Sequence, residues 1–499
     1  MSLFSLLDRT ARRWPHAGAV YLGTQCLQTW TQLRQRALTL GHTLSQLPAG
    51  SRIAIVSDNS PHYPELMFGT WAAQQAVVPI NYKLHANEMA QIILDAEPAW
   101  IFATAELAEG LHKALDSSWL TRLCVIGSPA YEHLLAGPAL TSAPVDPEAL
   151  AWLFYTSGTT GRSKGAMLSQ RNLMALTVSH LADVESLDEH CSQIHAAPMS
   201  HGSGMYIPAY VARGARQVIP ASGGFDPDEF LQLCRHHTGV GAFLAPTMVQ
   251  RLRQSLPASG PKPEGLRSII YGGGPMYVQE LKQSLVAFGQ VFVQIYGQGE
   301  SPMTITWLRR EDHTSADDAI LGSVGVARTG VEVRVVDDAG HDAPVGDIGE
   351  IIVRGDVVMS GYWRNPQGTA EALRGGWLYT GDMGSQDEHG YITLRDRSKD
   401  VVISGGSNIY PREVEEALLT HPSVSEVSVV GQRDEEWGEI VIAFVVLNAG
   451  ATLHTYELDA HCLERIARFK RPKRYVILQA LPKNSYGKVL KRSLREMLA

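Results

Sequence analysis

Residues 155–165 read YTSGTTGRSKG and combine three kinds of residue that bind phosphate. Glycines let the backbone come close to a ligand and point successive N–H groups at it. Hydroxyl side chains add donors, and a lysine adds a mobile positive charge. We therefore expect this loop to bind phosphate, with the triphosphate of ATP as the leading candidate. The candidate ligands in it are Thr156, Ser157, Gly158, Thr159, Thr160 and Lys164.

This loop differs from the Walker phosphate loop. That pattern places the lysine directly after a glycine and follows it with Ser or Thr. Here Arg162 and Ser163 separate Gly161 from Lys164. The alternative is a surface turn of ordinary Gly, Ser and Thr composition. A turn does not account for the lysine, nor for the strand-like apolar run at residues 150–155.

Two further glycine-rich segments each follow an apolar run. Residues 272–275 read GGGP after the run at 268–271, and residues 296–300 read YGQGE after the run at 291–295. Glycines at a strand end allow a flat base to lie against the backbone. A glutamate there suits Mg²⁺, which takes few carboxylates together with phosphate oxygens. A plain turn is the alternative for the first segment.

A third group of candidates carries charge. Asp382 ends the segment WLYTGD, and an ionised carboxylate can accept two strong hydrogen bonds from a vicinal diol. An aspartate in a β-turn is the alternative. Residues 396–400 read DRSKD, for which a solvated linker is the usual explanation. Near the C-terminus, PKNSYGK at 482–488 ends in Lys488, whose compact charge could neutralise phosphate oxygens or lie on the surface.

In this order, these segments closely resemble the motifs of the adenylate-forming superfamily, which comprises acyl- and aryl-CoA synthetases, luciferases and peptide-synthetase adenylation domains. The segment SGGSNIYPREVE at 404–415 is similar to the CoA-ligase branch. The resemblance covers nearly the whole chain. Two positions depart from the family pattern, since Gly299 stands where the family usually has Thr and Asp396 where many relatives have Gly.

The resemblance implies a role for each candidate. Residues Gly272, Gly273, Gly274, Pro275, Gln294, Tyr296, Gly297 and Gln298 would bind the nucleotide, Glu300 would hold Mg²⁺, Asp382 would bind the ribose, and Arg397 the ribose or phosphate. Lys399 would be a hinge, and Ser404, Gly405 and Gly406 would bind the thiol arm of CoA. Lys488 would bridge the substrate carboxylate and the α-phosphate, and Thr156, Glu300 and His201 complete the predicted catalytic set.

The segment PMSHGSG at 198–204 resembles the family's Pro-Leu-aromatic-His segment beside the acyl site, with Ser200 in place of the aromatic residue. His201 would contact the substrate carboxylate or gate its entry, and a hydrogen-bonded structural histidine is an equal alternative. Aliphatic acids are the first expectation and aromatic acids the second. The predicted acyl pocket consists of His201, Gly204, Met205, Tyr206 and Phe243.

Bulk properties limit the class of protein. A chain of 499 residues exceeds one ordinary core, and 44% hydrophobic with 19% charged residues is typical of a globular enzyme. A net charge of −8 argues against nucleic acid as a partner. No apolar run approaches the ~20 residues of a membrane span, and the N-terminus lacks a signal-peptide core. Five scattered cysteines indicate a reducing cytoplasm.

The pattern of elements predicts an α/β fold. Short β-branched runs alternate with helical stretches over the first three quarters, which favours layered, largely parallel sheets. From residue 331 alternation and a DDAG turn indicate a small antiparallel, barrel-like region. We expect an N-terminal domain at 1–395 for AMP and acyl binding, a hinge at 396–400 and a small mobile α+β domain at 401–499, with a helix after Pro411.

The resemblance predicts an AMP-forming acid–thiol ligase. An acid would attack MgATP to give acyl-adenylate and pyrophosphate, CoA would then displace AMP, and the small domain would rotate between the steps. The expected partners are a small carboxylic acid, ATP and CoA, and a homodimer is compatible with them. The alternatives are an aryl-acid CoA ligase, an adenylation enzyme that loads a carrier protein, a luciferase-like oxygenase, and a paralogue that only binds ligands.

Overall fold

The structure is a computed structural model that describes residues 2–141, 144–156, 163–256, 262–397, 400–404, 407–484 and 488–498, with the backbone alone at 396 and 397. Its strands are β1 (Gly18–Leu22), β2 (Gln25–Thr29), β3 (Arg52–Ser57), β4 (Ala76–Asn81), β5 (Trp100–Ala103), β6 (Leu123–Val125), β7 (Leu150–Thr156), β8 (Lys164–Ser169), β9 (Ser192–Ile194), β10 (Arg216–Ile219), β11 (Val240–Leu244), β12 (Leu266–Tyr271), β13 (Phe292–Tyr296), β14 (Thr306–Leu308), β15 (Val326–Ala327), β16 (Val331–Val336), β17 (Gly349–Gly355), β18 (Leu373–Arg374), β19 (Trp377–Gln386), β20 (Ile392–Arg397), β21 (Val402–Ser404), β22 (Ser407–Ile409), β23 (Val424–Asp434), β24 (Gly438–Leu447) and β25 (Arg474–Leu478).

The α-helices are α1 (Phe4–Arg13), α2 (Trp30–Leu44), α3 (Tyr63–Ala72), α4 (Ala86–Ala96), α5 (Ala105–Ala114), α6 (Ser117–Leu120), α7 (Pro129–Leu134), α8 (Gln170–Ser179), α9 (Gly202–Met205), α10 (Ile207–Ala212), α11 (Pro227–His236), α12 (Pro246–Gln254), α13 (Val278–Phe288), α14 (Asp318–Gly322), α15 (Pro366–Ala372), α16 (Pro411–Leu419), α17 (Thr455–Leu463) and α18 (Lys491–Glu496). A π-helical turn, His180–Val184, continues α8, and a 3₁₀ turn spans Glu311–Thr314. In the part of the chain that the structure describes, no helix is both long and apolar enough to cross a membrane.

Two large sheets form the N-terminal region. The first has the order β6-β5-β3-β4-β7-β8, and the second has the order β15-β14-β13-β12-β11-β9-β10-β1-β2. Both have parallel centres. The first sheet is antiparallel only at the β8 edge, and the second is antiparallel at both edges. Central strands such as β4 are buried along their whole length, because helices cover both faces, and this explains their continuous apolar runs. The α/β class predicted from the alternating runs is confirmed.

Two smaller sheets follow. β16, β17, β18, β19 and β20 form an antiparallel sheet, with β16 and β17 paired from Val331–Gly355 to Val336–Glu350. β21–β25 form a separate sheet on which α16 packs. One element was not foreseen. Strand β8 follows the phosphate-loop candidate and pairs antiparallel with β7, so this loop joins two strands, and α8 begins directly after β8 at Gln170.

Candidate active site

The glycine-rich segments leave the second sheet at one edge. β11, β12 and β13 are parallel neighbours, so the segments that follow each strand lie side by side. Gly272 packs so tightly that a Cβ there would lie 2.5 Å from the Ile295 carbonyl oxygen, and Gly273 has a φ of +78°. Glycine is therefore required at both positions, for close packing at one and for a left-handed backbone at the other.

Asp382 lies in a preformed hydrogen-bond cluster against this edge. The Tyr296 hydroxyl donates to Asp382 Oδ2 over 2.7 Å, and Gln298 Nε2 donates to the same oxygen over 2.6 Å. The Asp382 amide is held by Thr380 Oγ1 at 3.1 Å. Only 8% of Asp382 is exposed. Tyr296 thus contributes its hydroxyl to orient a carboxylate, in addition to presenting a ring at the predicted nucleotide site.

Gln294 lies in the middle of β13, two residues before Tyr296. Its side chain is buried, and its Oε1 atom has no hydrogen-bond partner among the described residues. Buried polar atoms are usually paired, so an unpaired one at a ligand-binding edge fits an acceptor for a ligand N–H group. The amino group of adenine is a donor of this kind.

Glu300 and Lys164 meet through Tyr362. The Tyr362 hydroxyl donates to Glu300 Oε1 over 2.6 Å, and Lys164 Nζ lies 5.0 Å from the centre of the Tyr362 ring. The backbone near Tyr362 pairs with β8, with Trp363 N donating to Gly165 O over 2.7 Å. Sequence reasoning missed Tyr362, because an isolated tyrosine in an irregular segment carries no motif. The tyrosine orients Glu300 beside the phosphate-loop lysine.

This group of residues suits Mg²⁺. Magnesium binds few protein carboxylates and keeps water and phosphate oxygens in an octahedral shell. Glu300 is half-buried, and one of its oxygens is oriented by Tyr362. The side chain of Glu300 would hold the ion, and Lys164 would contact the phosphates that the ion bridges. The donor chemistry therefore fits the predicted metal role.

Close packing explains the departure at Gly299. A Cβ at Gly299 would lie 2.3 Å from Thr156 Cγ2 and 2.7 Å from Phe154 Cδ1. Both neighbours lie in the last three residues of strand β7, which leads into the phosphate-loop candidate. Any side chain at position 299 would displace the end of this strand. The close packing of Phe154 therefore explains why a glycine occupies position 299. Thr156 Oγ1 in turn donates to the Lys164 carbonyl oxygen over 3.5 Å.

His201 lies half-buried beside Phe154. The two ring centres are 4.9 Å apart in an edge-on arrangement, and Ser200 Oγ lies 3.1 Å from His201 Nδ1. Burial by the surrounding protein lowers the pKa of His201 to about 4, so the ring is neutral at pH 7. A neutral imidazole has one hydrogen-bond donor and one acceptor, which suits contact with a substrate carboxyl group.

The other acyl-pocket candidates differ in burial. Phe243 is half-buried and would contact a Cβ placed on Gly202 at 2.6 Å, whereas Met205 and Tyr206 are almost fully buried in the main core. A Cβ on Gly204 would lie 1.8 Å from the Met199 carbonyl oxygen, so Gly204 packs against backbone. His201 and Phe243 are therefore the more accessible members, and Met205, Tyr206 and Gly204 remain predicted pocket residues behind them.

Lys488 comes to the glycine-rich edge from the C-terminal region. A cavity is lined on one side by Gly273, Gly274 and Pro275 and on the other by α16, β23 and Lys488. Lys488 is exposed, and its amide donates to Asn484 Oδ1 over 2.9 Å. Ser404, the described member of the predicted CoA segment, pairs with Ser407 and Gly438 and is not among the described residues that line this cavity.

Several predicted residues have no described side chain. Ser157, Gly158, Thr159, Thr160, Lys399, Gly405 and Gly406 lie outside the described residues, and Arg397 is described only through its backbone, which pairs with Asp382. Their roles remain predictions. The structure thus brings Asp382 together with Tyr296 and Gln298, in the segment that also holds Gln294 and Gly297, and joins Lys164 to Glu300 through Tyr362. Lys488 lines a cavity with Gly273, Gly274 and Pro275.

Comparison with known proteins identifies the class. The family model of AMP-binding enzymes matches residues 7–363, and the model of the C-terminal domain of AMP-binding enzymes matches residues 413–488. The chain therefore belongs to the AMP-binding enzyme family, within the adenylate-forming superfamily, and is an AMP-forming acid–thiol ligase. Enzymes of this type use ATP, Mg²⁺ and CoA.

Individual relatives span the whole chain. It is 34% identical to a feruloyl-CoA synthase of Amycolatopsis sp, over 98% of this chain and 97% of that protein. It is 32% identical to the fatty acid–[acyl-carrier-protein] ligase ScoC of Streptomyces coeruleorubidus, over 94% and 91% of the two chains.

A solved relative adds information on the arrangement of the two regions. ATP-bound MatB from Rhodopseudomonas palustris is 31% identical and superposes with a TM-score of 0.89, over 100% of this chain and 99% of that one. The apo structure of MatB gives a TM-score of 0.80 with the same coverage. The present structure therefore resembles the ATP-bound arrangement more closely.

Proposed function

We propose that this enzyme activates a carboxylic acid with an apolar tail and transfers the acyl group to CoA. The observation that carries the proposal is that Lys488 lines one cavity together with Gly273 and Gly274, while Asp382 and Glu300 are oriented by hydrogen bonds at the end of the neighbouring strand β13. This arrangement suits the first half-reaction, in which the acid attacks the α-phosphate of ATP. It also matches the higher similarity to ATP-bound MatB.

In the first half-reaction the protein would position reactants and neutralise charge. Asp382 would accept hydrogen bonds from the ribose hydroxyls, and Gln294 would accept one from the adenine amino group. Lys164 and the loop from Thr156 to Thr160 would bind the β- and γ-phosphates. When bound, Mg²⁺ neutralises phosphate charge beside Glu300. Lys488 would bridge the substrate carboxylate and the α-phosphate as the pyrophosphate bond breaks.

The second half-reaction would need a different arrangement of the two regions. We propose that residues 1–395 and 401–499 are two units, joined by a hinge at 396–400 around Lys399. Rotation would remove Lys488 and bring Ser404, Gly405 and Gly406 to the acyl-adenylate, where the CoA thiol displaces AMP. The present position of Ser404 away from the described cavity lining supports such a change, since both segments cannot occupy the site together.

The acid is proposed as aliphatic first and aromatic second. An aliphatic acid is consistent with the similarity to ScoC, and an apolar wall at Phe154 and Phe243 would accept either tail. The aromatic candidate is favoured by the 34% identity to a feruloyl-CoA synthase and by edge-on ring contacts at His201, which a planar tail could extend.

Pyrophosphate release with MgATP tests the proposal. The panel would contain octanoate, dodecanoate, palmitate, benzoate, cinnamate and ferulate, each with and without CoA. Turnover that depends on CoA supports the ligase and assigns the acid class. Pyrophosphate release that CoA does not accelerate, together with acylation of a carrier protein, would favour the carrier-loading alternative that the similarity to ScoC supports. Release from no acid would contradict the proposal.

Location and assembly are proposed as well. A cytoplasmic enzyme is consistent with the free cysteines at positions 26, 124, 191, 234 and 462, and cell fractionation tests it. A homodimer is the proposed assembly, and light scattering after size-exclusion chromatography distinguishes 54.5 kDa from twice that mass.

A further inference from the structure

Helix α16 connects the C-terminal region to the glycine-rich edge through a buried carboxylate. Glu415 on α16 is only 5% exposed, yet its Oε2 atom accepts a hydrogen bond from the Tyr277 hydroxyl over 3.0 Å. Tyr277 lies two residues after Pro275, at the start of α13. The bond therefore ends beside the segment that is predicted to receive the nucleotide.

The other partners of Glu415 belong to its own region. Val429 N donates to Oε1 over 2.8 Å, and Lys491 Nζ lies 3.6 Å from the same oxygen. Lys491 begins α18, three residues after Lys488. The Glu415 carboxylate thus makes two kinds of contact. Through Tyr277 it contacts the glycine-rich edge, and through Lys491 it contacts α18, the helix that follows the predicted catalytic lysine.

A second side chain of α16 reaches the N-terminal region. Arg412 donates to the Gly322 carbonyl oxygen over 3.5 Å, one helical turn before Glu415. Helix α16 therefore contacts the larger region along one face. Glu415 is the charged side chain of this helix that lines the cavity. A charge this deeply buried is stable only when it is paired, so the loss of Tyr277 as a partner carries a free-energy cost.

Burial and the neighbouring Glu415 charge raise the pKa of Tyr277 far above its usual value, so the hydroxyl keeps its proton and always donates. Rotation of the C-terminal region would separate Tyr277 from Glu415, whereas the bonds to Val429 and Lys491 would move with the helix. The Tyr277–Glu415 bond is thus specific to the arrangement in which Lys488 faces Gly273.

We propose that Tyr277 and Glu415 are positioning residues for adenylation, forming a latch that holds Lys488 at the glycine-rich edge and opens for thioester formation. The proposal rests on the proposed function for its kinetic consequence. Neither side chain needs to touch the substrate. The latch increases the population of the arrangement that carries out adenylation. Losing the latch lowers that population and therefore slows adenylation, but not thioester formation.

The test compares the half-reactions in Tyr277→Phe, which removes one oxygen atom and keeps the ring. Dodecanoate and cinnamate serve as acids, and dodecanoyl-AMP and cinnamoyl-AMP as supplied intermediates. We expect pyrophosphate release in single turnover to fall about 10-fold, as for the loss of one hydrogen bond to a charged group. Thioester formation from the supplied acyl-adenylate and CoA should stay within about 2-fold or increase.

Two further variants separate a latch from a structural role. Glu415→Gln keeps the shape and removes the charge, and combined with Tyr277→Phe it should give a non-additive loss, because both changes break one contact. Tyr391→Phe is the matched control, since it removes a hydroxyl that contacts Asp312 at 3.1 Å elsewhere in the N-terminal region. It should leave both half-reactions within about 2-fold.

An activity-independent measurement makes the two proposals distinguishable. In the presence of ATP and Mg²⁺, amide hydrogen exchange over residues 411–419 and 275–280 should be faster in Tyr277→Phe than in the parent protein. Unchanged exchange, or an equal loss in both half-reactions, overturns the latch. Absence of pyrophosphate release from the parent protein overturns the proposed function instead, and the exchange measurement still decides the latch.

Discussion

The two sides of the candidate site are built differently. On the N-terminal side, Asp382 is nearly buried and held by Tyr296 and Gln298, and Glu300 is held by Tyr362. On the C-terminal side, Lys488 is exposed and its amide donates to Asn484. The predicted nucleotide-binding groups are thus held by hydrogen bonds from neighbouring side chains, whereas the predicted catalytic lysine is exposed and comes from the C-terminal region. Removing a side chain from one side or the other should therefore affect the two half-reactions differently.

The largest effect is expected for Lys488→Ala. If Lys488 neutralises the reacting phosphate as proposed, its removal should lower the rate of adenylation by about 100-fold or more, comparable to removing one charge-stabilising donor. Thioester formation from supplied acyl-adenylate should change by less than about 2-fold. Lys282→Ala, which removes a surface lysine paired with Asp318, is the control. An equal loss of rate in both half-reactions would contradict the predicted difference between the two sides of the site.

Asp382→Asn should weaken both half-reactions, because the ribose is bound in each. Replacing the charged acceptor should reduce kcat/KM for ATP by about 10- to 100-fold, the range for a hydrogen bond to a charged group. Steady-state kinetics across ATP concentrations measure this. Asp356→Asn changes an exposed carboxylate and should have no effect. A loss confined to adenylation would contradict a role of Asp382 in both half-reactions.

Gly299→Ala should destabilise the protein by about 1–3 kcal/mol, because the added methyl group overlaps Phe154 and Thr156. Chemical denaturation measures the free energy of unfolding. Gly110→Ala is the matched control, since the same methyl group meets only Ala86 at 3.4 Å within a helix, and it should be neutral or stabilising. Phe154→Leu should recover part of the loss at position 299. Equal stability of both glycine variants would contradict the packing explanation.

Tyr362→Phe should act on metal binding with little effect on the fold. Loss of the hydrogen bond to Glu300 leaves the carboxylate free to rotate, at a cost of about 1 kcal/mol. The Mg²⁺ concentration for half-maximal pyrophosphate release should rise about fivefold, while the rate at saturating Mg²⁺ stays within about 2-fold. A change in maximal rate without a change in Mg²⁺ dependence would argue for a role of Tyr362 outside the metal site.

The smallest effect concerns pH. Because burial lowers the pKa of His201 to about 4, its ring stays neutral between pH 6 and 8, and it protonates only as the pH falls towards 4. His201→Gln should therefore change kcat/KM by the same factor at every pH from 6 to 8. A factor that varies through pH 6.5, the usual value for histidine, would show that His201 titrates in the working range.

Local sequence was sufficient for much of the fold. β-branched runs of the first three quarters, such as 52–56 and 76–80, correspond to β3 and β4, and the alternating run from residue 331 corresponds to β16. The helix expected after Pro411 begins at that residue. These predictions succeed because burial on a sheet or helix selects apolar residues in a simple period. β8 was missed because Lys164–Ser169 has a mixed composition and becomes a strand only by pairing with β7 and with residues near Tyr362.

The sequence by itself determined the class of enzyme, since its motifs, in their order along the chain, contain the residue types that bind phosphate, ribose and magnesium. Only the tertiary structure decided how those residues are held. Tyr362 on Glu300, Phe154 against Gly299, and Tyr277 on Glu415 join positions 62, 145 and 138 residues apart. No local pattern encodes such pairs, because their contact depends on how sheets and helices pack. Packing also places Lys488 on one cavity with the glycine-rich edge.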